Sequence, residues 1–325
     1  MTKRPPFIDH VLLIGFGAPA TPDEVDPYLD RFGREYGIPS QRLDKVRDQY
    51  RQIGNVSPYN EAVLHFYQEL RWSLARHLVP TPIFLGMKNW EPFLKDVLGG
   101  VRHEGHHHGL AVILAPHRSP ASYDTYVRAL EAAVAELGGT PLTYEFLESW
   151  HTYPLFIEAH AEAVKDVLQK IGELAENACV IFTAHSIPER GPETLRYVNE
   201  VRESSERIAR AAGSKNWKIA FQSRSGNPSE SWVGPDPSEA LRAAAREGTK
   251  HAIFVPVGFL CENAETRYDL DIAAKAEARA LGIGYWRSAA VLEGIPIVRM
   301  FTELIQNRLG YGAALAAARS AHGAS

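Results

Sequence analysis

Two short segments of the sequence carry residues suited to moving protons and metal ions. The first, Cys179-Val-Ile-Phe-Thr-Ala-His-Ser-Ile-Pro188, ends an apolar, β-prone run in a histidine flanked by small residues. An imidazole with an ordinary pKa of about 6.5 accepts a proton near physiological pH, or ligates a transition metal when neutral. The second, Val255-Pro-Val-Gly-Phe-Leu-Cys-Glu-Asn-Ala-Glu-Thr-Arg-Tyr-Asp-Leu-Asp271, turns at Pro256 and Gly258 and releases Glu262, Glu265, Asp269 and Asp271. A helix starting near Asn263 sets Glu265 and Asp269 on one face, with Glu265 at the positive end of the helix dipole. Such a row can pass protons or hydrated cations. Taken alone, each segment also has a plain reading: a hydrogen-bonded strand-end histidine, and a charged first turn on a solvated helix face.

Both segments need strands that end at them. An unbroken apolar run such as Val180-Ile-Phe182 predicts a strand buried on both faces of a parallel sheet, and ligands of open α/β sheets sit outside the carboxyl ends of the strands. Strands are expected near 11–15, 82–86, 111–115, 142–147, 180–184, 217–222, 252–257 and 283–286. Helical stripes run through Leu43, Val46, Tyr50 and Ile53, through Tyr126, Leu130 and Val134, and through Ala159, Ala163 and Val167. The Ala-rich stretch Gly312–Ala321 reads as a fraying helix, and Gly226-Asn-Pro228 and Gly234-Pro-Asp-Pro237 as loops. Val11–Pro19 lines up with Val180–Pro188 without a gap, and Val112–Pro116 has a counterpart in Ile253–Pro256. Two related α/β halves facing each other follow, with Phe16 in the place that His185 holds in the second half.

Composition narrows the function. A chain of 325 residues with net charge −4 is long enough for two domains and is not basic enough to live on nucleic acid. No apolar run approaches the roughly 18 to 20 residues of a membrane span, and Met-Thr-Lys-Arg-Pro-Pro has no signal-peptide core, so a soluble cytoplasmic protein is expected. The two cysteines, Cys179 and Cys261, are too few for a disulfide framework or a cysteine-ligated iron–sulfur cluster. His106-His-His108 lies in a glycine-flanked loop, where three successive histidines do not converge easily on one ion.

Together these segments resemble the ferrochelatase family along nearly the whole chain. Ala184-His-Ser-Ile-Pro188 is similar to its histidine motif, and Pro256-Val-Gly-Phe259 followed by Glu265-Thr-Arg-Tyr-Asp-Leu-Asp271 to its glutamate motif. Gln222-Ser-Arg-Ser-Gly-Asn-Pro228 and Trp232-Val-Gly-Pro235 resemble two further signatures, Gly17-Ala-Pro19 stands for Gly-Thr-Pro, and Val56-Ser-Pro58 for the substrate-loop Ser-Pro. The resemblance implies insertion of ferrous iron into a porphyrin for heme biosynthesis. The fold it implies is α/β: two similar Rossmann-like halves, 1–150 with the substrate loop and 151–325 with the histidine and glutamate motifs, each a parallel sheet flanked by helices, around a porphyrin cleft. Gly86-Met-Lys-Asn-Trp-Glu-Pro92 and Leu114-Ala-Pro-His-Arg-Ser119 resemble the bacterial branch that metallates coproporphyrin III. Phe16 stands where many of those enzymes carry tyrosine, Asn89 and Asn263 where relatives have histidine, and Ala273 where some have an acidic residue.

The resemblance makes His185 and Glu265 the catalytic pair and His185, Glu265 and Asp269 the residues that meet the metal. His185 would accept pyrrole protons, Glu265 would take protons or hold the cation, and Asp269 would extend the path outward. Phe16, Trp232, Tyr126 and Tyr123 are candidates for the wall that bends the ring. Arg31 and Arg34, backed by Lys45, Arg47 and Arg51, are candidate cations for the propionates, with Ser57 and Tyr126 as hydroxyl donors. Ferrous iron and porphyrin are then substrates, with no prosthetic group, and the protein is expected to act as a monomer. Four propionates reward a cation-lined cleft, and Arg31 and Arg34 therefore favour coproporphyrin III over protoporphyrin IX. A non-catalytic tetrapyrrole-binding protein, or a chelatase for another metal or tetrapyrrole, is the alternative; His185 and Glu265 together speak against the first, the Trp-Val-Gly-Pro and Ser-Pro segments against the second.

Overall fold

The computed structural model describes residues 7–224 and 230–311. The Gly226-Asn-Pro228 loop and the Ala-rich stretch from Gly312 lie outside the described residues, while Pro235 and Asp236 do sit in a turn ahead of a helix. All eight expected strands are present: β1 (His10–Gly15), β2 (Ile83–Met87), β3 (His108–Ile113), β4 (Thr143–Phe146), β5 (Ala178–His185), β6 (Trp217–Gln222), β7 (His251–Val255) and β8 (Gly284–Arg287). They form two four-stranded parallel sheets with the same order, β2-β1-β3-β4 and β6-β5-β7-β8. In each order β1 and β5 hold the same place, as do β3 and β7, which matches the internal alignment of the sequence. β3 starts earlier than expected because His108 and Gly109, weak strand formers, pair with Thr143 and Tyr144.

Helices α1 (Val25–Tyr36), α2 (Ser40–Gln52), α3 (Tyr59–Arg76), α4 (Leu94–His103) and α5 (Tyr123–Leu137) belong to the first half. The second contributes α6 (Pro154–Ile171), α7 (Pro192–Ala212), α8 (Pro237–Arg246), α9 (Lys275–Ala280) and α10 (Ile295–Arg308). Strand alternation divides the core. Val11 and Leu13, with Val180 and Phe182, face a shared central core filled by α3, α6, α7 and α10. Leu12 and Ile14 pack outward under α4 and α5, and Cys179 and Ile181 outward under α8 and α9. Phe66 of α3 meets Phe301 of α10 edge to face, 5.4 Å between ring centres, so the last helix is bonded to the first half. The strand ends of both sheets are thereby held in one rigid frame.

Candidate active site

His185 is the last residue of β5. Ala184 before it is completely buried, and Gly258 lets the chain leaving β7 pass close by: a Cβ on Gly258 would lie 2.7 Å from that of Ala184. The His185 Nδ1 meets the Ser186 carbonyl at 2.5 Å, and Tyr197 on α7 donates its hydroxyl to the His185 carbonyl at 2.8 Å. Ser186 is fastened in turn, its hydroxyl to the Val233 carbonyl and its amide to that of Gln222. With Nδ1 so engaged, Nε2 points outward to Glu265 Oε1 at 3.5 Å, and about a third of the histidine side chain, 32%, remains exposed.

Glu265 lies in the first turn of a helix whose start agrees with expectation but whose winding does not: Thr266–Ala274 form a π-helix that continues into α9. Asn263 exchanges two hydrogen bonds with Thr266, amide to hydroxyl at 3.0 Å and side-chain oxygen from the Thr266 amide at 2.8 Å. The asparagine in place of a family histidine is here a helix-start residue. The carboxylate row divides in two. Asp269 turns inward, accepting from Ser223 Oγ at 2.5 Å and Gln222 Nε2 at 3.3 Å. Asp271 and Glu262 instead clasp Arg287 at 2.7 and 2.6 Å, and Tyr285 donates to Asp271. Asp271 therefore does not continue the row that starts at Glu265.

Burial disfavours the His185 imidazolium, but the charge and hydrogen bond of Glu265, the Ser186 carbonyl and the charge of Asp269 outweigh it, so the ring titrates above its ordinary 6.5. Burial first, with the charge of Glu265 behind it, pushes the Asp269 carboxyl up to about 6. Both groups therefore keep a proton to higher pH than they would in water.

Across from it stand residues of the first half. Phe16, half-buried after β1, packs on Phe32 and Tyr59, 6.3 Å between centres in both cases. Tyr28, Phe32 and Tyr36 form a ladder along α1, with ring centres 5.7 and 4.5 Å apart. Ala264, next to Glu265, packs against the cluster of Tyr28, Tyr50 and Phe16, and burial followed by the Glu265 charge raises the Tyr50 phenol. The two halves therefore meet at the glutamate.

The residue that sequence reasoning passed over is Lys88, at the exit of β2. Its ammonium donates to Thr125 Oγ1 at 2.9 Å and lies 5.1 and 5.5 Å from the rings of Tyr36 and Tyr126. Burial, opposed in part by Glu35, lowers it to about 8. Its neighbour Asn89, 2% exposed, accepts from Tyr36 at 2.7 Å while its side-chain nitrogen has no partner.

Other expected residues lie elsewhere. Arg31 stacks on Phe93 at 4.1 Å and pairs with Glu35 at 3.8 Å, and Arg34 is exposed on the last turn of α1, while Val25, Tyr28 and Leu29 take the inward face. Arg47 is engaged by Asp26 and Asp44, and Arg51 by Asp48. Ser57 is 3% exposed beneath the start of α3, its amide bonded to Pro19. Tyr126 is buried beside Lys88, and Tyr123 donates to the Leu147 carbonyl; both rings belong to the core under α4 and α5. Trp232 bridges Pro188 in an antiparallel pairing, flanking the loop that follows His185.

Residues 9–309 match the ferrochelatase family. The chain belongs to that family. A ferrochelatase of Rhodopirellula baltica is 32% identical over 95% of this chain and 88% of its own length. A coproporphyrin III ferrochelatase of Mycobacterium avium is 32% identical over 91% of this chain and 87% of its own. Among solved structures, SirB from Bacillus subtilis with Fe3+ superposes with a TM-score of 0.56 at 12% identity, over 92% of this chain and 95% of SirB. A multi-domain Deinococcus radiodurans protein with structural similarity to chelatases gives 0.56 at 14% identity, and the chain spans 56% of its length. These structural likenesses show the chelatase fold.

Proposed function

We propose that the protein inserts ferrous iron into coproporphyrin III to give coproheme, with iron as substrate and no prosthetic group. The observation that carries the reading is the His185–Glu265 pair, 3.5 Å apart and open to solvent, with an aromatic wall and a half-buried lysine contributed by the first half. Metallation releases two pyrrole protons as the metal sheds water, and the ring must bend so that its lone pairs meet the ion. His185 Nε2 accepts a proton once the ring is neutral, and Glu265 alongside holds the imidazolium that results. Asp269, ionised above about pH 6, is the next acceptor, with Ser223 and Gln222 as its fixed hydrogen-bond partners. Phe16 and Phe32 supply a rigid apolar face on which the macrocycle rests.

Lys88 supports the tetracarboxylate. A single ammonium held between Tyr36 and Tyr126 rewards a propionate at that edge of the ring, and Arg31 and Arg34 lie further out on α1. The Mycobacterium avium relative carries the coproporphyrin III name. No helix among the described residues is long and apolar enough to cross a membrane. We read the protein as a cytoplasmic monomer whose halves divide near residue 150.

The test is anaerobic incubation with ferrous iron and each porphyrin, following visible absorption. The reading predicts turnover with kcat/KM higher for coproporphyrin III by about ten- to a hundredfold, the worth of one or two charge-assisted contacts. Preference for protoporphyrin IX would overturn the substrate assignment, and binding without metallation would overturn the activity.

A further inference from the structure

At the far end of β1 from Phe16, roughly 20 Å away along the strand, lies a second group of ligand-type side chains. Asp9 Oδ1 is 2.6 Å from His10 Nδ1 and 3.7 Å from His106 Nδ1. Among the described residues, this is where three such atoms lie within 4.8 Å of one another. His185, Glu265 and Asp269 do not gather in this way.

Asp9 and His10 are each held by their other atom, the arrangement by which proteins orient metal ligands. Asp9 Oδ2 accepts the backbone amides of His107 and His108 at 2.8 and 3.2 Å, leaving Oδ1 free to turn toward the histidines. His10, fully buried, has Nε2 on the Tyr144 hydroxyl at 2.9 Å. His106 Nε2 is 3.8 Å from Glu104. The space for His10 is built into the neighbouring strand: a Cβ on Gly109 would fall 2.4 Å from Nε2. The outer side is open, with Asp9 28% and His106 20% exposed.

Three successive histidines do separate, as their spacing suggests, but into different tasks. His108 is engaged at both nitrogens, by Thr143 and Glu145, and only His106 turns toward Asp9. His251 shows what the same setting gives without a carboxylate. It starts β7, Gly284 makes room for its ring, and Trp286 donates to its Nδ1 at 3.2 Å, an ordinary structural histidine.

We propose that Asp9, His10 and His106 form a binding site for a divalent transition-metal ion, separate from the His185–Glu265 pair. Two imidazoles and one carboxylate suit Zn2+, Co2+, Ni2+ or Fe2+ and not the all-oxygen shells of Mg2+ or Ca2+. The ion takes the place of the proton between Asp9 and His10 Nδ1; that proton is carried on His10 Nε2 in the other neutral tautomer, where it donates to the Tyr144 oxygen as the phenol O–H turns away. Three protein ligands leave at least one position for water, as in sites where the metal exchanges rather than sealed structural ones. The inference does not depend on the chelatase reading.

The test uses full-length protein without a polyhistidine tag, stripped with chelator, and Co2+ titration by calorimetry and visible absorption in the absence of porphyrin. The expected result is a Co2+ equivalent that survives in His185→Ala, weakens more than tenfold in His106→Ala and in Asp9→Asn, and weakens about ten- to a hundredfold in Tyr144→Phe. His106 is partly exposed, so His106→Ala remains folded by circular dichroism even if a change at buried His10 would not. An unchanged isotherm in His106→Ala, or a wild-type isotherm abolished by His185→Ala alone, overturns the proposal.

Discussion

The two sheets share one strand order, yet the ends of β1 and β5 do different work. β1 releases Phe16 into a wall of aromatic rings with Lys88 beside it, and β5 releases His185 toward Glu265 and Asp269. A position that is apolar in one half and titratable in the other separates binding from proton transfer without changing the frame. The first half needs shape and a cation; the second needs groups that take up and release protons. Both follow from the same geometry, in which a buried strand holds its last residue rigidly at the mouth of the sheet.

The largest effect expected from breaking this division is on turnover. His185→Ala removes the acceptor nearest the pyrrole nitrogens and lowers kcat for iron insertion by about 10²- to 10⁴-fold, measured anaerobically. The fold is untouched, because the His185 carbonyl, and not its ring, holds Tyr197.

Glu265→Gln comes next. It keeps size while removing the charge that holds the His185 imidazolium, so insertion slows and burial of His185 is left less opposed. The sign follows directly. In the wild type the active, neutral imidazole gains population as pH rises through a value above 6.5, and in the variant the rising limb of the kcat/KM profile moves to lower pH. A limb that stayed put would remove Glu265 as the partner of His185.

Lys88→Met tests the other half. It keeps the stem against Tyr36 and Tyr126 but loses the charge, and KM for coproporphyrin III rises by about tenfold or more, the worth of one charge-assisted hydrogen bond, with kcat little changed. The smallest effect concerns stability. Asp269 is raised from 3.8 to about 6, so its contribution is present below pH 3.8 and is lost as pH rises through 6. Asp269→Asn abolishes that loss, and urea midpoints of the variant fall less than wild type between pH 4 and 7.

How much of this was legible in the sequence depended on whether the signal was local. The strands were, because runs such as Val180-Ile-Phe182 are apolar on both faces, and so were the positions of His185, at the end of such a run, and of Glu265, in the first turn of the helix expected near Asn263. Lys88 was not, since a lysine after a strand reads as surface until Tyr36 and Tyr126, from two separate helices, close over it. The setting of Arg31 was hidden for the converse reason. Its charge is visible in sequence, but the rotation of α1 is set by Val25, Tyr28 and Leu29 packing inward, which leaves Arg31 to stack on Phe93. The split of the carboxylate row needed Arg287, which arrives from β8. The meeting of Asp9, His10 and His106 likewise required β1 and the loop before β3 to lie side by side.

The central claim is that one half binds the porphyrin and the other performs the proton transfer. The most direct measurement is porphyrin affinity, by fluorescence quenching, together with single-turnover insertion rate, on His185→Ala and Lys88→Met side by side. The account predicts that His185→Ala keeps wild-type affinity within about threefold and loses the rate by at least about a hundredfold, while Lys88→Met loses affinity and keeps the rate at saturating porphyrin. Parallel loss of affinity and rate in both variants, or a His185→Ala enzyme that inserts iron at the wild-type rate, would contradict it.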